Sequence, residues 1–233
     1  TSTEQRAYGI YARTLGADST IYIANTGDIT ATSQEQRAWG IFSRSRGDDS
    51  TIGIVNSGDI TVTGGAGNRA YGIYAYQDSA PSVRSAFTIS NSGIISAVAD
   101  VDAYGIWAFT QSAESPVTIT NSGILSATAT TGDAIGIRVR TNQDNSTIDI
   151  VNRARITASS AGEDAVGIFA RSFGADSGIT ITNSGDFRTT TTTTMANNAY
   201  GIYARTRGTN SSITITNSGD LTSIGVGIAY GIR

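Results

Sequence analysis

The sequence predicts an all-β fold: a right-handed parallel β-helix of about seven coils, each with about 31 residues and three short strands. The first observation is a Gly-Ile dipeptide that marks each repeat, with its Gly at positions 9, 40, 72, 105, 136, 167, 201 and 231, so that the steps are 30 to 34 residues. The second is an Asn that follows this Gly by 16 residues in six repeats and by 19 in one. Units of this size bury an apolar face only by stacking on their neighbours, which makes a solenoid.

Three segments of each repeat have the pattern of a short strand. In the first repeat they are Ala7–Arg13, Thr20–Asn25 and Thr26–Ala31, which alternate with period two and are bounded by Gly, Asn, Asp or Ser. No segment has a sustained 3.6-residue apolar period, so we expect almost no helix. The general rule for parallel crossovers predicts right-handed winding. Two longer interruptions, Gln77–Ala86 and the threonine-rich run Thr189–Asn198, are predicted as loops, the second as an extended spur.

The repeats fill residues 1–233, so we expect a single β-helix domain. Thr1–Tyr8 copies Ser33–Trp39, and Ala229–Arg233 starts a further first strand. We therefore interpret the chain as a fragment of a longer repeat array. Uncovered end coils expose unpaired strand edges, so end-to-end self-association is also expected.

Alternation along the strands predicts which side chains face the interior. The Ile after each repeat Gly shares the inward parity with apolar positions of the other two strands, such as Ile21, Ile23 and Ile29. The Asn at the end of each second strand has this parity too. Because Asn tolerates left-handed backbone and stacked amides hydrogen-bond from coil to coil, we predict an asparagine ladder at a tight corner. Its members are Asn25, Asn56, Asn91, Asn121, Asn152, Asn183 and Asn217.

The opposite parity of the first strand predicts the outer surface, where Gly9, Tyr11 and Arg13 of the first repeat lie. Equivalent residues would form a ribbon of rings and guanidinium groups along the rod. This candidate ligand-binding strip consists of Tyr11, Arg13, Phe42, Arg44, Tyr74, Trp107, Phe169, Arg171, Tyr203 and Arg205. Two interpretations stay open: the strip could stack on sugar rings and hold anionic groups, or it could only stabilise the sheet.

A local bulge would change this assignment. Alternation is interrupted where a strand has one extra residue, and the side chains beyond that residue change face. The rings of the strip would then turn inward, and Tyr8, Trp39, Tyr71 and Tyr104 would be exposed instead.

The composition excludes several kinds of chemistry. All 16 basic residues are Arg, and the chain has no Lys, His or Cys. Ser-His-Asp and Cys-His nucleophiles, zinc sites with His or Cys ligands, disulfides and Schiff-base lysines therefore cannot form. The formal charge of −3 argues against a nucleic-acid binder, which needs a net basic footprint. We expect no cofactor, no metal and no nucleic-acid partner.

The residues that come closest to a catalytic pair are the acidic residues at the start of the third strand. Asp28 and Asp59, and again Asp186 and Asp220, stand one coil apart, close to the ~5 Å separation of the two carboxylates in retaining glycosidases. A polysaccharide-active β-helix enzyme, like a tailspike or a lyase, is therefore the alternative function. These Asp residues belong to the repeat and no pair is singled out, so the sequence favours a non-catalytic protein over an enzyme.

The motif Ile-Thr-Asn-Ser-Gly-Asp occurs at Ile181–Asp186 and Ile215–Asp220, and a variant occurs at Ile119–Ile124; these alternate with Ala-Tyr-Gly-Ile-Tyr-Ala. This pattern spans the chain and resembles the passenger domains of bacterial autotransporters (type V secretion) and haemagglutinin-like β-helix adhesins. The resemblance implies a secreted stalk or adhesion segment at the bacterial cell surface, with a C-terminal membrane barrel of the same protein outside this sequence. It also implies a glycan or protein partner on a host or neighbouring cell. It assigns no catalytic or binding residue.

Overall fold

The computed structural model describes residues 6–77, 84–192 and 197–233. This part of the chain contains 22 β-strands and no helix, which confirms the all-β prediction. It accordingly has no helix that is long and apolar enough to span a membrane. The strands follow one another in groups of three, and each group makes one coil of a parallel β-solenoid with about seven coils, as predicted.

Equivalent strands of successive coils pair in parallel and form three sheets. The first sheet consists of β1 (Ala7–Thr14), β4 (Ala38–Ser45), β7 (Ala70–Gln77), β10 (Ala103–Thr110), β13 (Ala134–Thr141), β16 (Ala165–Ser172), β19 (Ala199–Thr206) and β22 (Ala229–Ile232). The second sheet consists of β2 (Thr20–Asn25), β5 (Thr51–Asn56), β8 (Phe87–Asn91), β11 (Val117–Asn121), β14 (Ile148–Asn152), β17 (Ile179–Asn183) and β20 (Ile213–Asn217). The third sheet consists of β3 (Ile29–Thr32), β6 (Ile60–Thr63), β9 (Ile95–Ala99), β12 (Leu125–Ala129), β15 (Ile156–Ser160), β18 (Phe187–Thr191) and β21 (Leu221–Ile224).

The pairing keeps its register from coil to coil. In the first sheet Ile10 pairs with Ile41, and in the second sheet Asn25 pairs with Asn56. Residues at equivalent repeat positions therefore form straight columns along the rod, with a spacing of about 4.8 Å between coils. A side chain that recurs in every repeat therefore forms a row along the rod. The right-handed sense of winding stays a prediction.

Apolar columns fill the interior of the rod. Ile73, Ile89 and Ile95 contribute one side chain from each strand of the third coil, and all three are fully buried within one continuous core. Burial alternates along β8 and β9, as a strand with one buried face requires. Each such Ile stabilises the fold by about 1.5–3 kcal/mol relative to an exposed side chain.

The repeat glycines face the interior, so their predicted outward position is wrong. A Cβ atom on Gly40 would overlap Cγ2 of Ile60 and would lie 2.6 Å from the backbone oxygen of Gly72. The first sheet approaches the third too closely here for any side chain, and this is why the position requires glycine. Ile41, the next residue, is also buried. The first strand therefore departs from period-two alternation at each repeat Gly.

The asparagine ladder is confirmed. The amide nitrogen of Asn121 donates one hydrogen bond of 2.7 Å to Oδ1 of Asn152 and another of 2.8 Å to the backbone oxygen of Gly123. The same pair of bonds is made by the amides from Asn25 to Asn183, so the amides form an unbroken row that ends at Asn217. Both donor hydrogens of these six amides are thus satisfied, and within the described part of the chain Asn217 keeps only the bond to the backbone oxygen of Gly219.

Left-handed backbone is found at a different corner from the one predicted. Among the described non-glycine residues, positive φ angles of 49° to 60° occur only at the corner after the first strand, at Asp18, Asp49, Arg84, Glu114, Asn145, Asp176 and Asn210. Each of these residues precedes a Ser that belongs to a second ladder, which the sequence analysis did not predict. The backbone N–H of Ser115, for example, donates to Oγ of Ser146 at 3.1 Å, and that of Ser146 donates to Oγ of Ser177 at 2.9 Å.

The two predicted loops are partly strand. Thr189 and Thr191 are buried in β18, so the threonine-rich run begins inside the third sheet and not as a spur. Gln77 is the buried last residue of β7, and its side-chain amide donates a hydrogen bond to Oγ of Ser85. Residues 84–86, 192 and 197–198 are not strand, as predicted, and residues 78–83 and 193–196 lie outside the described residues.

Candidate functional site

The outer face of the first sheet carries three adjacent columns of side chains. The pre-glycine column, which lies immediately before each repeat Gly, contains Tyr8, Trp39, Tyr71, Tyr104, Ile135, Val166, Tyr200 and Tyr230. The aromatic column contains Tyr11, Phe42, Tyr74, Trp107, Arg138, Phe169 and Tyr203. The arginine column contains Arg13, Arg44, Tyr76, Phe109, Arg140, Arg171 and Arg205.

Both the pre-glycine column and the aromatic column lie outside the core. Tyr71 and Tyr104 are buried, but they form a cluster with Tyr74 and Trp107 that is separate from the interior of the rod. The break in alternation at the repeat Gly explains this arrangement, because the Gly and the following Ile both face inward and their neighbours on either side face outward. The predicted exchange of the two sets by a bulge is therefore wrong: the strands pair one-to-one across the Gly without an extra residue, and both sets lie on the outer face.

Neighbouring rings of these columns stack from coil to coil. The Tyr8 and Trp39 rings have centroids 4.7 Å apart and planes that differ by 6°, and the Tyr11 and Phe42 rings have centroids 5.1 Å apart and planes that differ by 1°. Ring edges meet ring faces across the two columns, as between Tyr8 and Tyr11 at 5.1 Å and 79°. The columns thus form a double layer of packed rings on the outer face of the first sheet.

The first three coils contain a groove on this face with a volume of about 320 Å³. Trp39 and Tyr71 are its most buried rings, with 5% and 4% of their surface exposed, whereas Tyr11 is 52% exposed. The residues that line this aromatic groove are Arg6, Tyr8, Tyr11, Arg13, Arg37, Trp39, Phe42, Arg44, Tyr71, Tyr74 and Tyr76. Another depression, of about 510 Å³, lies beside the second sheet and has neither an aromatic ring nor an arginine in its lining.

The polar groups of the aromatic groove are mostly donors. Its lining includes four arginines and, among the described residues, no carboxylate. Nε1 of Trp39 is buried and has no hydrogen-bond partner among the residues that the structure describes, which is a costly state for a donor. Burial, reinforced by the neighbouring Tyr71 and Tyr76, raises the pKa of Tyr74, so its hydroxyl stays protonated at physiological pH. The groove therefore suits a ligand with flat faces and many oxygen acceptors, including negatively charged ones.

The structure brings together half of the predicted strip. Five of its residues line the aromatic groove: Tyr11, Arg13, Phe42, Arg44 and Tyr74. The other five lie along the following coils, outside the groove: Trp107, Phe169, Arg171, Tyr203 and Arg205. The groove also includes residues outside the predicted strip. These are Arg6, Arg37, Tyr8, Trp39, Tyr71 and Tyr76; all but Tyr76, which belongs to the predicted outer columns, lie on the outer face only because alternation breaks at the repeat Gly.

The groove ends where the residue before the buried Ala of the first strand changes from arginine to an acidic residue. This reversal of charge was not predicted from the sequence. The residues immediately before the buried Ala of each first strand are arginines in three coils and acidic in the next three: Arg6, Arg37 and Arg69, then Asp102, Asp133 and Asp164. At the reversal, Nε of Arg69 lies 2.6 Å from Oδ2 of Asp102. Burial lowers the pKa of Arg69, but the charge of Asp102 together with the neighbouring Tyr71 and Tyr104 outweighs burial, so the pKa is raised. An alignment of the repeats on their Gly residues contains this signal.

The acidic half of this column is tied to the backbone. Oδ1 of Asp102 accepts the backbone N–H of Asp133 at 3.0 Å, and Oδ1 of Asp133 accepts that of Asp164 at 3.3 Å. Burial, and next the charge of Asp102, raise the pKa of Asp133 to about 6. Oxygens of Asp102, Asp133 and Glu163 come within 4.8 Å of one another. Because Oδ2 of Asp102 is already bound by Arg69 and by the Tyr104 hydroxyl, we assign this cluster a structural role.

The acidic residues of the alternative, enzymatic interpretation also bind the backbone. Oδ1 of Asp28 accepts the backbone N–H of Asp59 at 3.0 Å, and Oδ1 of Asp186 accepts that of Asp220 at the same distance. Each carboxylate thereby joins its own coil to the next one. This is the role that the repeat itself requires, and it explains why Asp recurs at this position.

No family model, no curated protein and no solved structure matches this chain. The functional interpretation therefore rests on the geometry of the outer face.

Proposed function

We propose that this chain is a non-catalytic structural and adhesion segment of a bacterial cell-surface or secreted protein, and that its aromatic groove binds a carbohydrate. The observation that carries the proposal is the groove itself, in which parallel aromatic rings lie next to four arginines and the unpaired buried N–H of Trp39. The surface location rests on the resemblance of the repeat motifs to autotransporter passenger domains.

A carbohydrate fits this combination of groups. The C–H face of a pyranose ring is apolar and packs against aromatic rings, and its hydroxyl and ring oxygens accept hydrogen bonds. Guanidinium groups supply several donors in a fixed plane and bind carboxylate or sulfate groups bidentately. Tyr11 and Arg13, both exposed at the rim of the groove, are placed to make the first contacts.

A catalytic role has less support. Glycosidic cleavage needs two carboxyl groups that face one bond with one of them protonated. Asp28 and Asp186 instead each accept a backbone N–H from the following coil. The polysaccharide-active enzyme remains the alternative that the experiment below must exclude.

The experiment is a binding measurement on immobilised neutral and acidic glycans, with the unsubstituted chain, the Tyr11→Ala/Tyr74→Ala variant and Tyr22→Ala. Tyr22 is 69% exposed on the second sheet and serves as the matched control. We expect the double variant to bind at least about tenfold more weakly, which corresponds to about 1.4 kcal/mol, while Tyr22→Ala binds normally. Equal binding by all three proteins would refute the groove as the site. Release of reducing ends from any polysaccharide would refute the non-catalytic assignment, and its loss in Asp28→Asn or Asp186→Asn would then support the enzyme.

A further inference from the structure

The last coils carry a cluster of arginines that the proposed carbohydrate groove does not include. Arg140, Arg171 and Arg205 are consecutive members of the arginine column and are paired in register across β13, β16 and β19. Arg207 lies two residues beyond Arg205, at the next outward position. We call these four residues the arginine patch. Their backbones are separated by the coil spacing of about 4.8 Å, so like charges are brought close together.

One aromatic ring contacts three of the four arginines of the patch. The guanidinium carbon of Arg171 lies 4.5 Å from the centroid of the Phe173 ring, that of Arg140 lies 4.7 Å from it, and that of Arg207 lies 5.3 Å from it. Three cations therefore share one ring. These contacts restrain the three side chains, so they lose less freedom when an anion binds.

The positive charge of the arginine patch is not neutralised within the described part of the chain. No carboxylate of residues 6–77, 84–192 and 197–233 forms an ion pair with any of the four arginines. Nε of Arg171 is buried and has no hydrogen-bond partner there. Burial, followed by the charges of Arg207 and Arg205, lowers the pKa of Arg171, as expected where positive charges crowd together.

The fold does not require arginine at these positions. Tyr76 and Phe109 occupy the same column in the third and fourth coils, and their rings stack at 5.3 Å and 17°. An aromatic pair therefore satisfies the same sheet without charge repulsion. The four arginines of the patch, which no described carboxylate neutralises, are a cost to stability that an external anion would offset.

We propose that the arginine patch binds an acidic polysaccharide that lies along the rod. A linear polymer with carboxylate or sulfate groups presents anions in a row, and the coil repeat presents guanidinium groups in a row. The stacked rings of Phe169 and Tyr203, whose centroids are 4.9 Å apart, lie in the adjacent aromatic column and offer a surface for the sugar faces. The net charge of −3 disfavours a nucleic acid, whose affinity depends on a net basic protein. This inference does not depend on the aromatic groove.

The test measures binding of dextran sulfate and polygalacturonate, with neutral dextran and single-stranded DNA as comparison ligands. The variant is Arg171→Gln/Arg205→Gln. The matched control is Arg153→Gln/Arg155→Gln, which changes the net charge equally at exposed positions near the start of the third strand in the fifth coil. We expect at least one acidic polysaccharide to bind, with an affinity that falls with salt, and neutral dextran not to bind at this site. The variant should lose at least about tenfold in affinity and show a weaker salt dependence, because fewer counterions are released, while the control retains both.

Three results would overturn the proposal: no binding of either acidic polysaccharide, an equal loss in the matched control, or tighter binding of single-stranded DNA than of the polysaccharides. Thermal unfolding supplies a second test. The removal of like charges should offset the loss of the contact between Arg171 and Phe173, so the variant should be at least as stable as the unsubstituted chain. A lower melting temperature would show that the arginines serve the fold instead. The Tyr11→Ala/Tyr74→Ala variant keeps the arginine patch and the Arg171→Gln/Arg205→Gln variant keeps the aromatic groove, so a comparison of the two variants on the same ligands distinguishes a failure of the groove from a failure of the patch.

Discussion

The guanidinium carbon of Arg138 lies 4.9 Å from the centroid of the Trp107 ring. Arg138 is the one arginine in the described aromatic column between Tyr11 and Tyr203, and on its other side it lies 5.2 Å from the Phe169 ring centroid. A flat cation thus takes the place of a ring without interrupting the stack. The positions of this column therefore suit planar groups that stack at the coil spacing, and the planarity of the side chain matters more than its hydrophobicity.

This substitution leads to a first prediction about stability. Arg138→Ala should lower the free energy of unfolding by about 1–2 kcal/mol. The change removes three cation–π contacts, with Tyr104, Trp107 and Phe169, the hydrogen bond of 3.1 Å to the Tyr104 hydroxyl and the ion pair with Asp133. Arg138→Phe, which restores a planar group, should lose less. Urea unfolding followed by circular dichroism measures both, with the exposed Arg153→Ala as the control. If Arg138→Ala and Arg153→Ala unfold at the same urea concentration, the stack contributes nothing.

The asparagine ladder gives a second prediction. Asn121→Ala removes the acceptor for Asn91 and the donor for Asn152 and Gly123 in a fully buried site, so each of these groups loses a partner. We expect a loss of about 3 kcal/mol or more, since one unsatisfied buried group costs about 1–3 kcal/mol. Asn217→Ala, at the half-exposed end of the ladder, is the matched comparison and should cost clearly less. Equal losses at the two positions would show that the amides act independently.

The columns were predictable from the sequence, and the face of the pre-glycine column was not. A fixed distance from Gly to Asn is sufficient to place Asn25 and Asn56 in register, because the coil spacing multiplies every repeated residue into a row. Whether Tyr8 faces in or out depends on the break in alternation at Gly9, and that break follows from the close approach of the third sheet, which is a tertiary contact. The aromatic groove requires both columns on one face, so only half of it could be inferred from period-two alternation.

The close approach at the repeat glycines gives a third prediction. A Cβ atom on Gly136 would overlap Cγ2 of Ile156 and would lie 2.7 Å from the backbone oxygen of Gly167. Gly136→Ala should therefore force the first and third sheets apart and cost about 3 kcal/mol or more, the upper end of the range for overpacking. Gly27→Ala is the matched control, because a Cβ atom there has no neighbour within 4 Å. Thermal unfolding compares the two, and a Gly136→Ala protein as stable as Gly27→Ala would contradict the packing argument.

The raised pKa of Asp133 gives a fourth prediction, on the dependence of stability on pH. Burial, together with the charge of Asp102, raises this pKa from 3.8 to about 6 in the folded chain, so between these values the folded state holds more protons than the unfolded state. The contribution of Asp133 to stability is therefore fully present below pH 3.8 and is lost as the pH rises towards 6, with a total change of at most about 3 kcal/mol at about 1.4 kcal/mol per pKa unit.

Asp133→Asn removes the buried charge and retains an oxygen that can accept the backbone N–H of Asp164, and Asn198 occupies the same column naturally. The variant should match the unsubstituted chain near pH 4 and be more stable at pH 7, as measured by urea unfolding across this range. The exposed Asp149→Asn controls for net charge. A stability difference between Asp133→Asn and the unsubstituted chain that stays constant from pH 4 to 7 would show that Asp133 does not titrate in this interval.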